Sequence, residues 1–287
     1  MTAKRTKRNG KLKSILSSNS VVTLVWVIGI IIIWEIVASY VEGKYSERMA
    51  VTYFPHLYQI VGLLFSDKIV GGNMTASQLL FPAAGATLLR ALYGFIIGII
   101  LGFVLALVMH LSKVAEKIAF PYLMIIQMVP ILGMAPVILA ITQDISKARM
   151  VIAAILTFYP VATNVLAGFL ATEREKHELM YSYSANKWQI YTKMLIPASI
   201  PYFFTGLKIA APMAVTASVL VDTLQGDGGL GNVLSVAIGG KYSTKLIFWD
   251  CVFLSAIVGV LSYSLMGFLQ NLFTPQNRKH KKRGAAK

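Results

Sequence analysis

Glu35, Lys208, Asp222 and Asp250 each stand in a stretch otherwise built of Val, Ile, Leu, Ala and Phe. An ionisable group surrounded by apolar residues is costly to keep, so it marks a pathway, a proton relay or a structural ion pair. Lys208 and Asp222 are fourteen residues apart. That spacing puts them on roughly one helical face but about 20 Å apart along the axis, so they cannot pair with each other. Lys208 is expected near the cytoplasmic side, its ammonium snorkelling, and Asp222 near the outer mouth as a pathway carboxylate or a structural one. Pro130, Pro136, Pro160 and Pro212 also lie within apolar stretches. A proline there frees backbone groups, which packed protein or an aqueous cavity tolerates, so Pro130, Pro136 and Pro212 join Asp222 as translocation-pathway candidates. Ordinary helix irregularity is the alternative for each.

Other chemistries find no support. His56, His110, His177 and His280 are scattered, without H-E-x-x-H spacing, and no G-x-S-x-G elbow occurs. Gly226 to Gly231 satisfies G-x-G-x-x-G but follows an apolar helix pattern and not a strand, so it reads as a turn. No P-loop is present, so ATP hydrolysis is not expected on this chain. A lone cysteine, Cys251, precludes an internal disulfide. No catalytic residue, cofactor or metal is expected.

The elements that must carry these residues are membrane helices. Of 287 residues, 56% are hydrophobic and 14% charged, outside the usual range of soluble domains. Blocks near Val21–Val41, Leu89–Met109, Ile118–Ile141, Met150–Leu170, Ile200–Leu224 and Leu246–Leu269 are each long enough, at about 1.5 Å per residue, to cross a core of about 30 Å. The first is read as an uncleaved span and not a signal peptide. Period-2 alternation is missing, which excludes spanning strands.

The formal net charge of +15 lies in tails and short loops, which excludes a nucleic-acid groove and sets orientation. Lys4, Arg5, Lys7, Arg8, Lys11 and Lys13 precede the first block, and Arg278, Lys279, Lys281, Lys282, Arg283 and Lys287 follow the last. Both tails are therefore expected in the cytoplasm, touching anionic lipid headgroups, which requires an even number of spans. The organisation is a basic tail over 1–20, a spanning domain over 21–272 and a second basic tail over 273–287. Residues 42–86 are expected outside, with a helix at the interface over 55–61. Residues 172–199 are expected inside, as two short helices joined by a turn.

That inner segment reads ELMYSYSANKWQIYTKMLIPASIP from Glu178 to Pro201. It resembles the cytoplasmic signature of binding-protein-dependent permeases of ABC importers. Glu178, Ser184, Met194, Ile196 and Pro197 fall on the signature's spacing, with Leu179 and Met180 in place of two alanines and Ser184 in place of glycine. Thr87 to Phe95, the prolines 121, 130 and 136, Gly206-Leu207-Lys208 and Gly229-Leu230-Gly231 are similar to the branch handling taurine, alkanesulfonates, nitrate and vitamin precursors. Relatives generally have Glu at the Asp222 position.

The resemblance implies an all-α, six-span permease of the type I importer fold. It also implies a second copy or sister permease, a cytoplasmic ATPase, an extracytoplasmic solute-binding protein, and a small organic or oxyanion solute. Glu178, Ser184, Ala185, Trp188, Met194, Ile196 and Pro197 would form the segment that takes force from the ATPase. An ion-gradient carrier using Glu35 or Asp222 is the rival reading.

Overall fold

The computed structural model describes residues 19–224 and 228–274. The basic tails, with Lys4 to Lys13 and Arg278 to Lys287, lie outside the described residues, as do Gly226 and Asp227. The chain divides into two units, residues 1–76 with 242–250, and residues 77–241 with 251–287.

In the smaller unit, α1 (Asn19–Lys44) is apolar all round, and Ile30, Ile33 and Ile36 are exposed, as a helix facing hydrocarbon requires. It is followed by α2 (Glu47–Tyr53) and α3 (Leu57–Leu64), then a short antiparallel hairpin of β1 (Ile69–Gly71) and β2 (Met74–Thr75). The hairpin turns on Gly72 and Asn73, both at positive φ, the conformation a two-residue turn demands. Trp34 stacks on Phe54 at 4.1 Å and donates its indole N–H to the Pro55 carbonyl at 3.0 Å.

The larger unit holds the remaining spans. α4 (Ala76–Leu111) opens at the unit boundary, and the pair α5 (Lys113–Met128) and α6 (Ile131–Thr142) bends by 109° at its break. α7 (Ile145–Leu170) follows, then α8 (Arg174–Ser182), α9 (Lys187–Ile190), a π turn over Tyr191–Leu195, α10 (Ile196–Asp222), α11 (Leu230–Ile238) and α12 (Leu246–Phe273), whose first turn belongs to the smaller unit. Five helices are long and apolar enough to span, six with the bent pair taken as one, in agreement with the six blocks of the sequence.

With the span that ends in α10, 56% buried, α7 forms the inside of this unit. Half of its apolar window is buried, against 6% for α1. It is approached from one side by Gly94, Gly98 and Gly102 of α4, where a Cβ would lie 2.3 Å from the Ala153 Cβ, 2.5 Å from the Thr157 Cβ and 2.6 Å from the Phe158 carbonyl oxygen. α10 brings Gly206 as close to the Pro160 carbonyl, and α7 answers with Gly168 beneath Ser199 and Tyr202. Lipid tails are as apolar as the side chains, so close backbone approach through small residues is what holds such helices together.

Two expectations are corrected. The helix of the second span begins at Ala76 and not near Leu89, because Pro82 and Gly85 are carried inside it. The segment between spans is correspondingly shorter than residues 42–86, and it contains a β-hairpin in addition to the expected short helix, which runs Leu57–Leu64.

Glu35 ties α1 to α3. Its Oε1 accepts from the Leu57 N–H at 2.9 Å, and its Oε2 lies 2.6 Å from His56 Nδ1, while His56 Nε2 lies 3.1 Å from Glu42. With a carboxylate on each ring nitrogen, both nitrogens donate and the imidazolium is favoured. The Glu35 hydrogen bond, with smaller help from Glu42, raises the His56 pKa above its ordinary 6.5 against the opposing effect of burial. A raised folded-state pKa contributes stability that is complete below the ordinary value and lost as pH rises through the folded value. Tryptophan emission and the amide protection factors of residues 57–60, corrected for intrinsic exchange and followed from about pH 6 to about pH 9, should therefore show α3 loosening as pH rises, and His56→Gln should remove that pH dependence. A pH-independent signal in the native protein would refute the assignment.

Candidate functional site

Asp222 is the last residue of α10, where the helix dipole is negative and a carboxylate is least welcome. It is nonetheless fully buried. Arg149, 1% exposed in the first turns of α7, places Nε 2.7 Å from Asp222 Oδ1, and Arg90 of α4 adds Nη1 at 3.4 Å. Thr87, one turn before Arg90, donates its hydroxyl to Asp222 Oδ2 at 2.7 Å. The same hydroxyl accepts from the Leu230 N–H at 2.9 Å, and the Thr87 carbonyl accepts from Ser218 Oγ at 3.1 Å. Four elements, α4, α7, α10 and the start of α11, thus meet on one carboxylate.

The turn before α11 is shaped by this knot. Gly229 has φ +99, and a Cβ there would stand 2.1 Å from Asp222 Oδ2; at Gly231 it would stand 1.8 Å from the Val219 carbonyl. Only glycine lets this backbone pass so close at such a φ. Arg90 also donates to the Gly228 carbonyl at 3.0 Å, and the Leu230 carbonyl accepts from the Cys251 thiol at 3.0 Å.

The second feature is the break in the third span. Pro130 cannot donate a backbone N–H, and it caps the start of α6 while its carbonyl accepts from the Gly133 and Met134 N–H groups. Pro121 and Pro136 sit inside α5 and α6. Beside the break is a cleft of about 270 Å³, walled by Gln127, Ile131, Ile155, Leu156, Met213 and Thr216 among others. Pro212 lies one residue before Met213, and its carbonyl accepts from the Thr216 hydroxyl at 3.0 Å. Pro130 and Pro212 therefore flank one cleft. Lys208 is elsewhere: its ammonium lies 5.9 Å from the Tyr263 ring centroid, near Gly267.

The third feature is the segment Arg174–Pro197. α8 ends in a Schellman motif, with the Ser184 N–H donating to the Tyr181 carbonyl at 2.8 Å and the Ala185 N–H to Met180 at 3.0 Å. Ser184 has φ +51, the left-handed conformation that favours glycine. Asn186 then caps α9 in a reciprocal box with Gln189. Leu179, Tyr181, Tyr183 and Trp188 are all more than half exposed, and Glu178 pairs with Arg174 at 2.9 Å on the same open surface. The root is the opposite: Met194 and Leu195 are buried, Ile196 is half-buried and Pro197 opens α10. Tyr191 of the π turn lies 2.6 Å from His110 Nδ1 through its hydroxyl, and both rings pack on Phe169. This plants the segment on α4 and α7.

Sequence reasoning named Asp222 but not its partners. Arg149 stands one residue before the apolar block near Met150–Leu170, and Arg90 lies inside the Thr87–Phe95 motif. A carboxylate within a span calls for a cation from a neighbouring span, and that is the signal in the sequence for Arg90 and Arg149. Asp250, 2% exposed, has no hydrogen-bond partner for either carboxyl oxygen among the described residues.

Residues 94–279 match the family model described as the binding-protein-dependent transport system inner membrane component. A riboflavin transport system permease protein of Chloroflexus aurantiacus is 34% identical over 213 residues, covering 73% of this chain and 79% of its own. A formylaminopyrimidine transport permease protein of Halalkalibacterium halodurans is 27% identical, covering 57% of this chain and 65% of its own. In fold, the chain is similar to an amino acid ABC transporter structure, with a TM-score of 0.54 at 19% identity over 68% of this chain and 92% of that one.

Removing one partner of a buried ion pair leaves an uncompensated charge and costs about 3–5 kcal/mol, whereas removing both leaves little. Asp222→Asn should lower the melting temperature of the detergent-solubilised protein sharply. Asp222→Asn combined with Arg149→Met should recover part of the loss, and strictly additive effects would show that the two side chains do not act as a pair.

Proposed function

This chain belongs to the family of binding-protein-dependent transport system inner membrane components, and from that premise we propose how it works within an ATP-driven importer. It is the permease, a transport component and not a catalytic one. Residues 21–272 form its spanning region, with the inner segment 172–199 as the coupling element and the basic tails 1–20 and 273–287 in the cytoplasm against anionic headgroups. Lys113, Lys117, Arg174, Lys176, Lys187 and Lys193 then fall on the cytoplasmic side, as the retention of positive charge in inner loops requires. The Asp222 knot falls at the outer end.

The observation that carries the reading is the contrast within Arg174–Pro197. Its tip exposes Leu179, Tyr181, Tyr183 and Trp188, while its base is buried on α4 and α7. A tip of exposed aromatics that is rigidly rooted suits docking of a soluble protein and transmission of its movement into the membrane helices. The docked protein is the ATPase, which this chain lacks in itself. A second copy or sister permease completes the solute path beside the α5–α6 break, and an external binding protein supplies the solute. Rocking of one bundle against the other about a fixed site would then alternate the openings. Vitamin-like heterocycles and small oxyanions are the solute classes supported by the resemblance of the motifs. The gradient-driven carrier is disfavoured by the commitments of its two carboxylates, Glu35 to His56 and Leu57, and Asp222 to Arg149 and Thr87.

Mild-detergent purification of the tagged chain from its own membrane should bring down a P-loop ATPase. Glu178→Arg with Pro197→Ala should abolish that association and ATP-dependent uptake, with membrane insertion and melting temperature kept. Unchanged uptake, or a chain that transports alone after ATP depletion, would sink the importer reading.

A further inference from the structure

We infer that Asp250 is a proton-binding site: its carboxyl carries a proton while the first turns of α12 are packed as in the structure, and it gives that proton to water when they open. The importer reading makes no use of this residue. Asp250 is 2% exposed, and neither carboxyl oxygen has a hydrogen-bond partner among the described residues. It sits on a buried apolar face of α12, with Ile247 three positions before it and Leu254 four positions after it buried as well. The N–H groups of the first helical turn would be the natural donors to an acid placed here. Two are used otherwise, Leu246 N–H donating to the Thr244 hydroxyl at 3.3 Å and Phe248 N–H to the Lys245 carbonyl at 3.1 Å, and none reaches Asp250.

A carboxylate stripped of water, with neither donor nor counter-charge, is prohibitively costly, and an acid in that position keeps its proton. The same chain holds the opposite solution. Asp222 is as deeply buried, but Arg149 Nε at 2.7 Å and the Thr87 hydroxyl at 2.7 Å meet its charge. Two buried acids in opposite surroundings take opposite charge states, one ionised and structural, the other neutral and able to titrate.

The elements packed on this part of α12 keep their charges committed or distant. In the smaller unit, Trp249 lies 5.4 Å from Trp34 of α1 and donates to the Thr52 carbonyl of α2 at 3.3 Å, and Ser243 donates to the Val70 carbonyl of β1 at 2.9 Å. On α1, Glu35 and Glu42 are held by His56, and Lys44 lies by the Tyr40 and Tyr45 rings. Glu47 and Arg48 stand in the first turn of α2 and Thr52 in its last, while Asp67 and Lys68, ahead of β1, are exposed. Lys245, one residue ahead of α12, does not bond Asp250. In the larger unit, the Cys251 thiol donates to the Leu230 carbonyl of α11, a helix without an ionisable side chain. Arg90 of α4 is held by Asp222, and Lys208 of α10 stands by Gly267, about 25 Å further along α12 than Asp250. α12 carries no other acidic or basic side chain, so no relay continues the path along it. The proton enters and leaves at one end, the outer one in the importer orientation, and biases packing without driving transport. Because the packed arrangement holds a proton that a water-exposed carboxyl releases, raising the pH favours opening.

Infrared spectra of the purified full chain read the charge state directly. At about pH 6, the native spectrum minus that of Asp250→Asn should contain a protonated-carboxyl C=O band, which isotope-labelled aspartate shifts and Asp222→Asn leaves in place. The isotope shift identifies the band in the native protein alone, so no variant has to fold for it to be read. Asp250→Asn, which carries no charge, should keep the melting temperature that Asp222→Asn loses. Amide protection factors of residues 246–254, corrected for intrinsic exchange and measured in the His56→Gln background, should fall from about pH 6 to about pH 9, by at most about tenfold per pH unit for one proton, and become level when Asp250→Asn is added. A carboxylate band in place of the protonated one, or a sharp loss of melting temperature in Asp250→Asn, would overturn the inference by revealing an ionised, partnered acid. Level protection with Asp250 intact would overturn it by showing that no proton is released.

Discussion

A carboxylate cannot sit at the end of a membrane helix, out of contact with water, unless its charge is met. Asp222 is fully buried, and the rest of the larger unit is arranged around that requirement. Arg149 must be placed at the start of α7, Thr87 and Arg90 must be one turn apart on α4, and the turn before α11 must be glycine so that its backbone can close over the carboxylate. Such a pair contributes little net stability against well-packed apolar residues of the same volume, but it is intolerant of misassembly, because any helix out of register leaves a bare charge. Its value is in specifying one arrangement of helices whose apolar surfaces would otherwise slide in lipid.

Glycine spacing completes what the ion pair begins. The α4 face with Gly94, Gly98 and Gly102 fixes the approach to α7 over the stretch that runs away from the knot, and Gly206 and Gly168 do so between α7 and α10. The opposite end of this packed block carries the aromatic cluster of His110, Phe169 and Tyr191, on which the segment Arg174–Pro197 is planted. Between the two ends lies the proline break and its cleft. The unit therefore has a clamped end, a close-packed middle with a gap on one side, and an end from which the segment Arg174–Pro197 projects.

How much of this was legible in the sequence depended on range. The spans were readable because hydrocarbon thickness imposes a length, and the two short helices and turn of residues 174–190 because a signature with fixed spacing survives substitution. Ser184 shows why: the Schellman motif needs a left-handed residue six positions after Glu178, and serine accepts that geometry at a cost that glycine would not incur. The start of α4 lies ahead of the apolar block near Leu89–Met109, because packing in a membrane tolerates Pro82 and Gly85 within a helix. The knot was the least legible part, since its members are separated by as many as 135 positions and nothing local to Asp222 names Thr87. Even so, Thr87 to Phe95 and Gly229 to Gly231 were already marked as motifs, and the structure explains both as walls of one ionic site.

The account holds that the knot end stays fixed while the coupling end moves. Hydrogen–deuterium exchange on the co-purified complex, with and without ATP, tests that most directly. Amides at residues 87–90, 149 and 218–222 should remain protected in both states, while those of 178–197 change. Deprotection around Asp222 on adding ATP, or an unaltered 178–197 segment, would contradict it.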